Sequence, residues 1–293
     1  MASSSRNSDF FDLPATRVIA HRGASGEQPE NTLVAFRAAA EAGAQYFELD
    51  VHMTRDGVVV VSHDADLNRT CGLDAAIRDL TFAELKQADA GWGFTTAATA
   101  TAAAAGDSAF PFRGRGIEVP ALAEVFAAFP ERRYVIEVKQ SAPSLAAALL
   151  DVIEGAGMRS RVLVASEEQM PIDELRALAP KLPTGFPYPE IVGFMASLAP
   201  GAEPYRPRGD ALQIPPEYQS WRLVTAESVA AAHRMGAEVH VWTVNDEAEM
   251  RGLLALGVDG IITDFPDRLL AMLPGVDLRI VADRTKRVKG DST

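Results

Sequence analysis

Residues 21–64 read HRGASGEQPENTLVAFRAAAEAGAQYFELDVHMTRDGVVVVSHD, and this segment predicts a strand, a helix and a second strand joined by short links. The run from Arg17 to Ala20, which is mostly apolar, leads directly into His21, the first residue of this segment, and forms the first strand. Asn31 and Thr32 then open a helix that ends near Gly43, as glycine commonly follows a helix C-terminus. Strand two begins at once. This order is typical of parallel α/β structure.

Further strand and helix pairs follow as far as the strand Gly260 to Thr263 and its helix. Counted from Arg17, the main series has eight strands, one of them a weak strand at Thr184 to Phe186, with the hairpin strand Val58 to Ser62 set aside. The glycines after His21 lack the GxGxxG spacing of an open nucleotide-binding sheet. We therefore predict an α/β fold, a closed (β/α)8 TIM barrel with an insertion between strand 2 and helix 2.

The predicted boundaries give one barrel domain over residues 15–275, with a mobile N-terminal tail over 1–14 and a C-terminal tail over 276–293. The insertion covers about residues 70–118. It contains a short capped helix near Thr81 and a flexible run of threonine and alanine over residues 95–105. Cys71 is the single cysteine, which excludes a disulfide within the chain.

Composition limits the classes of partner. The chain has 293 residues, of which 47% are hydrophobic and 23% charged, as expected of a globular protein. Its net charge of −12 argues against nucleic-acid binding, which needs a basic surface. No signal peptide or long apolar span is evident, so we predict a cytoplasmic protein without integral membrane association. The oligomeric state is left open.

Acidic side chains mark the predicted barrel mouth. Glu48 and Asp50 alternate on one strand and therefore share a face. Two buried carboxylates repel each other, so a cation or a shared proton must offset the charge, unless this face is exposed to solvent. Glu137 ends the next strand and would converge on the same point. Three carboxylates favour Mg²⁺ or Ca²⁺ over zinc, which prefers histidine or cysteine.

Short polar motifs follow one another along the chain: His21-Arg22-Gly23, Glu30-Asn31-Thr32, Glu48-Leu49-Asp50-Val51, Asp56-Gly57 and His63-Asp64, with further segments as far as Gly257–Asp264. In this order they resemble the motifs of the glycerophosphodiester phosphodiesterase family. The resemblance implies metal-dependent hydrolysis of glycerophosphodiesters to glycerol 3-phosphate and an alcohol. By the same resemblance, His21 and His63 form the acid/base pair, and one divalent cation, Mg²⁺ or Ca²⁺, is held by Glu48, Asp50 and Glu137.

Other polar residues fall at the ends of predicted strands, where barrel enzymes place their chemistry. Arg22 and Lys139 suit the phosphate of a small-molecule glycerophosphodiester. Trp242 offers an apolar wall against the glycerol backbone, and His240 shares its strand face. We expect His52 to lie behind the site residues and not to contact the substrate. Which histidine acts as acid stays open.

Two other functions compete. A phospholipase D- or C-like barrel would act on intact phospholipid, and a noncatalytic barrel would only bind its ligand. The second would be expected to lack at least one of five residues, all of which are present: His21, Glu48, Asp50, His63 and Glu137. After Asn68-Arg69-Thr70 this chain has Cys71-Gly72, where the family commonly has a second threonine and a glycine-rich turn. The sequence therefore does not identify the alcohol that is released from the substrate.

Overall fold

The computed structural model describes residues 8–13, 16–96 and 110–273. Ten strands are found in this part of the chain. They are β1 Arg17–His21, β2 Tyr46–Met53, β3 Val59–Val61, β4 Arg133–Val138, β5 Val162–Ala165, β6 Ala211–Ile214, β7 Glu217–Tyr218, β8 Trp221–Arg222, β9 Glu238–Val241 and β10 Gly260–Thr263.

Seven of these strands form a parallel sheet in the order β5-β4-β2-β1-β10-β9-β6. The gap between β5 and β6 is filled by two residues, since Thr184 pairs with Val164 and Gly185 pairs with Ala211, both in parallel. These two residues take the place of the eighth strand and close the barrel. They lie where the weak strand Thr184 to Phe186 was predicted. β3 lies antiparallel to β2, as the hairpin prediction requires. The (β/α)8 fold class is confirmed.

Helices surround the barrel and alternate with its strands. The longer ones are Leu33–Ala42, Leu122–Ala128, Ala146–Gly155, Gln169–Leu178, Tyr188–Ala196, Ala226–Arg234, Glu247–Leu256 and Pro266–Met272. The first begins where predicted, because the Thr32 side chain accepts a hydrogen bond from the Ala35 amide. It ends before Gly43, whose φ of 106° suits glycine. None of the described helices is long and apolar enough to cross a bilayer.

The N-terminal end of the barrel is closed by Asp9–Phe11, a turn of 3₁₀ helix. Phe10 is fully buried and lies edge-on to Tyr46, whose hydroxyl donates to the Phe10 carbonyl at 2.7 Å. Ser8 donates to the Ser160 carbonyl. This arrangement differs from the mobile tail predicted over residues 1–14, because the open end of the barrel offers an aromatic ring a place to be buried. Residues 1–7 lie outside the described part.

The insertion has a small core of its own. Leu67, Cys71, Ile77 and Leu85 are buried together against Val60 of β3. Short helices cover Asn68–Cys71 and Phe82–Leu85, and the second has the predicted capping box between Thr81 and Glu84. The threonine and alanine run from residue 97 onward and the predicted 276–293 tail lie outside the described residues.

Candidate active site

Three carboxylates meet at the carboxyl end of neighbouring barrel strands. Glu48 and Asp50 lie on β2, and Glu137 lies on β4 directly opposite Asp50 in the parallel pairing. One oxygen from each residue lies within 4.8 Å of the other two. Glu48 is 4% exposed and Asp50 is fully buried, so the solvent-facing alternative is wrong. We call Glu48, Asp50 and Glu137 the carboxylate cluster.

Burial and the charge of Asp50 raise the pKa of both glutamates of the carboxylate cluster. Burial, reinforced by the charge on Asp50, raises the pKa of Glu48 to about 8. Burial also raises the pKa of Glu137, although the Lys139 ammonium, 2.8 Å away, opposes the rise. The Arg22 Nε lies 3.1 Å from Asp50. These two side-chain cations do not balance the cluster fully, and further positive charge would stabilise its ionised form.

The donor set fits a hard divalent cation. One oxygen of Asp50, Oδ2, accepts a hydrogen bond from Asn31 Nδ2 at 2.9 Å. The other, Oδ1, is buried without a hydrogen bond, with the Lys139 ammonium 3.4 Å away. A buried carboxylate oxygen rarely lacks a partner unless it has another role. A carboxylate oxygen without a hydrogen bond, beside two further carboxylates, suits Mg²⁺ and Ca²⁺, which prefer oxygen ligands.

His21 ends β1 and is held by a polar pocket around Asp264. Its Nδ1 lies 2.6 Å from the Asp264 carboxylate, which also accepts hydrogen bonds from Ser25 and Asn245. Its Nε2 lies 3.9 Å from a Glu48 oxygen. Burial opposes the imidazolium charge, but the Asp264 hydrogen bond and Glu48 raise the pKa of His21 overall.

The same contacts act on the acid. Burial would raise the pKa of Asp264, but hydrogen bonds from His21, Ser25 and Asn245 together lower it to about 2. Asp264 is therefore a carboxylate at neutral pH. It fixes the ring of His21 through Nδ1 and leaves Nε2 directed toward the carboxylate cluster.

His63 follows β3 and has its own aspartate. Its Nδ1 lies 2.7 Å from Asp64 Oδ1, and its side chain is 33% exposed. His52 lies behind it, buried, with Nε2 3.1 Å from the His63 carbonyl oxygen. The place expected for His52 behind the site agrees with this contact. Both His21 and His63 thus have Nδ1 bound to a carboxylate.

The remaining predicted residues divide into two groups. Arg22 and Lys139 contact the carboxylate cluster. Trp242 directly follows β9 at the same edge of the barrel and is 38% exposed, but no hydrogen bond or ring contact between described residues joins it to the cluster. His240 does not line the mouth. It is fully buried between Glu238 and Gln213 and faces Phe10, because the barrel interior is packed there.

Several residues that shape the site carry no predicted role. Asn31, Asp64 and Asp264 lie within the motifs of the sequence, whereas Arg69 lies outside them. Ser25 and Asn245 give no local signal, since their importance arises from contacts with Asp264, which lies 239 and 19 residues away. Only the closed barrel brings these positions together.

Polar groups collected at the carboxyl ends of the strands of a closed barrel define a (β/α)8-barrel enzyme. The chain belongs to the Glycerophosphoryl diester phosphodiesterase family, whose sequence profile matches residues 21–268. It is accordingly a phosphoric diester hydrolase. This match spans the carboxylate cluster, both histidines and Asp264, and it confirms the family to which the motifs pointed.

Three similar proteins illustrate the family. A glycerophosphodiester phosphodiesterase of Bacillus altitudinis is 34% identical, over 86% of this chain and 96% of its own. The crystal structure of a putative glycerophosphoryl diester phosphodiesterase from Silicibacter pomeroyi superposes with a TM-score of 0.70 at 30% identity, covering 93% of this chain and 95% of that one. A lysophospholipase D of Mus musculus is 26% identical, over 87% of this chain and 85% of its own.

Proposed function

We propose that the protein hydrolyses small glycerophosphodiesters to glycerol 3-phosphate and an alcohol with the help of one divalent cation. The observation that carries this proposal is the carboxylate cluster, in which Asp50 Oδ1 is buried without a hydrogen bond and lies 3.4 Å from the Lys139 ammonium, while Arg22 contacts Asp50 Oδ2. The name of the Bacillus altitudinis relative supports the same substrate class.

Glu48, Asp50 and Glu137 would hold the cation, Mg²⁺ or Ca²⁺. When bound, it supplies positive charge that polarises the phosphoryl oxygens and stabilises the charge developing on them. Arg22 and Lys139 add two fixed cations on either side of Asp50. The planar fork of Arg22 suits two phosphate oxygens, whereas the Lys139 ammonium acts as a point charge.

His21 and His63 carry the protons. Hydrolysis of a phosphodiester needs one group that accepts a proton from the attacking water and another that protonates the departing alkoxide. Each imidazole donates its Nδ1 proton to an aspartate, at 2.6 Å in His21 and 2.7 Å in His63. This contact sets the tautomer, so Nε2 is the atom that exchanges protons with the substrate.

Trp242 completes the proposed substrate site. An indole beside the mouth gives an apolar surface against the carbon chain of glycerol, with no demand for a second charge.

A cytoplasmic location and the lack of a nucleic-acid partner stay predictions from composition and net charge.

A second candidate substrate is a phosphodiester that carries an acyl chain. The mouse relative is named a lysophospholipase D. In this chain, the hairpin β7–β8 follows β6 at the catalytic edge, and Trp221 and Tyr218 on it are 78% and 50% exposed. Such aromatic side chains favour an interface between water and lipid. Rates on soluble glycerophosphocholine and on micellar lysophosphatidylcholine distinguish the two candidates.

The test is release of glycerol 3-phosphate from glycerophosphocholine. We expect activity that is abolished by a chelator and restored by Mg²⁺ or Ca²⁺. His21→Ala and His63→Ala should each lower kcat by several orders of magnitude, while His233→Ala serves as the control, because His233 pairs with Asp259 on the surface. Activity that persists after metal removal would contradict the proposal.

A further inference from the structure

Ion pairs link the two sides of the barrel mouth through Arg69. Its Nη1 and Nη2 donate to the two oxygens of Glu30 at 2.6 and 2.7 Å. Its Nε donates to Asp64 Oδ2 at 2.7 Å. Asp64 in turn holds His63, and Glu30 accepts a hydrogen bond from Arg22 at 2.9 Å. One guanidinium therefore joins two carboxylates whose other partners belong to the proposed site.

The insertion fixes the backbone of Arg69. The short helix Asn68–Cys71 places Cys71 in the small core of the insertion, with Leu67 on the other side of the helix start. The Gly93 amide donates to the Thr70 carbonyl, and a side chain at position 93 would lie 2.2 Å from the Arg69 carbonyl oxygen. The insertion therefore serves the site by positioning one arginine.

Asp64 can hold the His63 ring only if its own carboxylate is fixed by a second hydrogen-bond partner. Burial alone would raise the pKa of Asp64, but hydrogen bonds from Arg69 and His63 hold it below its usual value. The carboxylate has two oxygens, and each one is committed to a different neighbour, Oδ1 to His63 and Oδ2 to Arg69. Without Arg69 the carboxylate could rotate, and it would then no longer present Oδ1 to the imidazole.

We infer that Arg69 is a positioning residue that fixes the His63 ring and its tautomer through Asp64, with Glu30 as the anchor of the guanidinium. The inference rests on the proposed function, since it takes His63 as a proton-transfer group. Arginine is required because the guanidinium donates a pair of hydrogen bonds to the two Glu30 oxygens and a third hydrogen bond, from Nε, to Asp64. Lysine keeps the charge but cannot reproduce this fork.

The first experiment measures steady-state kinetics of Arg69→Gln, Arg69→Lys and the matched control Arg55→Gln. Arg55 is an exposed arginine at the other side of the insertion, where it pairs with Glu84. We expect Arg69→Gln to lower kcat about 10- to 100-fold, the usual effect of losing a group that orients a functional histidine. KM should stay within about twofold of wild type, since Arg69 is not assigned to the substrate. Arg69→Lys should recover only part of the loss, and Arg55→Gln should match wild type.

A double-mutant cycle identifies the route. Asp64→Ala removes the acceptor of His63, and in this background Arg69→Gln should lower kcat by less than about twofold further. If the loss of kcat in the double variant equals the product of the losses in the two single variants, the inference is overturned, because Arg69 then acts independently of Asp64. A raised KM with unchanged kcat would also overturn it and make Arg69 a substrate-binding residue.

The second experiment needs no activity. The chain has five histidines, so the imidazole ¹⁵N resonances of labelled protein form a small set, and His63→Gln identifies those of His63. In wild type at pH 8 we expect the Nδ1-protonated tautomer, and in Arg69→Gln a mixture of tautomers. An unchanged His63 spectrum contradicts the inference. Wild-type protein that is inactive on glycerophosphodiesters would instead contradict the proposed function and leave this measurement intact.

Discussion

Replacing Asp264 by asparagine should separate the orientation of His21 from the fold. Asp264 accepts three hydrogen bonds, from His21, Ser25 and Asn245, at 2.6, 2.7 and 2.6 Å. An amide can accept on only one side, because its nitrogen would face either the His21 and Ser25 donors or Asn245. The Asn245 amide cannot turn over, because its Oδ1 accepts hydrogen bonds from the Thr263 hydroxyl and the backbone amide of residue 264. The oxygen of the new amide therefore stays with Asn245, its nitrogen faces His21 and Ser25, and the His21 ring loses its fixed tautomer.

The stability change follows from the pKa of Asp264. Its folded value of about 2 lies below the ordinary 3.8, which corresponds to about 2 kcal/mol in favour of the folded state. The folded pKa is lowered, so this stabilisation is complete above the ordinary value and is lost as pH falls from about 4 to about 2. At pH 7, Asp264→Asn should thus lower the free energy of unfolding by about 2 kcal/mol.

Urea unfolding and glycerophosphocholine hydrolysis at pH 7 measure the two effects. We expect a folded protein whose kcat falls by about 10²- to 10⁴-fold, the range for loss of an aspartate that orients a catalytic imidazole. Asp259→Asn is the matched control. Asp259 Oδ2 lies 2.7 Å from His233 Nε2, and this pair is remote from the site. Wild-type kcat in Asp264→Asn, with the expected loss of stability, would refute the role of Asp264 in orienting His21.

Three further changes test other parts of the structure. Phe10→Ala should cost about 3–5 kcal/mol of stability, seen as a Tm lowered by about 10 °C, because it empties the closed end of the barrel; an unchanged Tm would mean that this end is not sealed by Phe10. Gly93→Ala should lower kcat with little change in KM, since its methyl group displaces the Arg69 carbonyl; wild-type kcat would contradict that support. Trp242→Ala should raise KM several-fold at nearly constant kcat, and an unchanged KM would remove the indole from the substrate site.

The barrel was predictable because each strand and helix carries a local signal. β10 has the predicted bounds, Gly260–Thr263, and the first helix follows Thr32 and ends before Gly43 as expected. Phe10 gives no such local signal. Its burial depends on a closed barrel end made by residues far along the chain.

The candidate site was predictable to the extent that its residues follow strands. Glu48 and Asp50 alternate on β2, and register alone brings Glu137 opposite Asp50. The positions of Arg69 and Asp264 could not be derived in this way, because they depend on how a short helix of the insertion and the last strand approach the histidines. His240 illustrates the reverse error, since alternation identifies a face but not the depth of a residue along the barrel axis.

Divalent-cation binding to the carboxylate cluster tests the central claim most directly. Chelator-treated protein is titrated with Mg²⁺ and with Ca²⁺ in a calorimeter, using wild type and Asp50→Asn, and circular dichroism checks that both are folded. We expect one ion per wild-type chain and no measurable binding in the variant, whose buried Oδ1 carboxylate oxygen is lost. Equal binding by the two proteins, or none by wild type, would contradict the account.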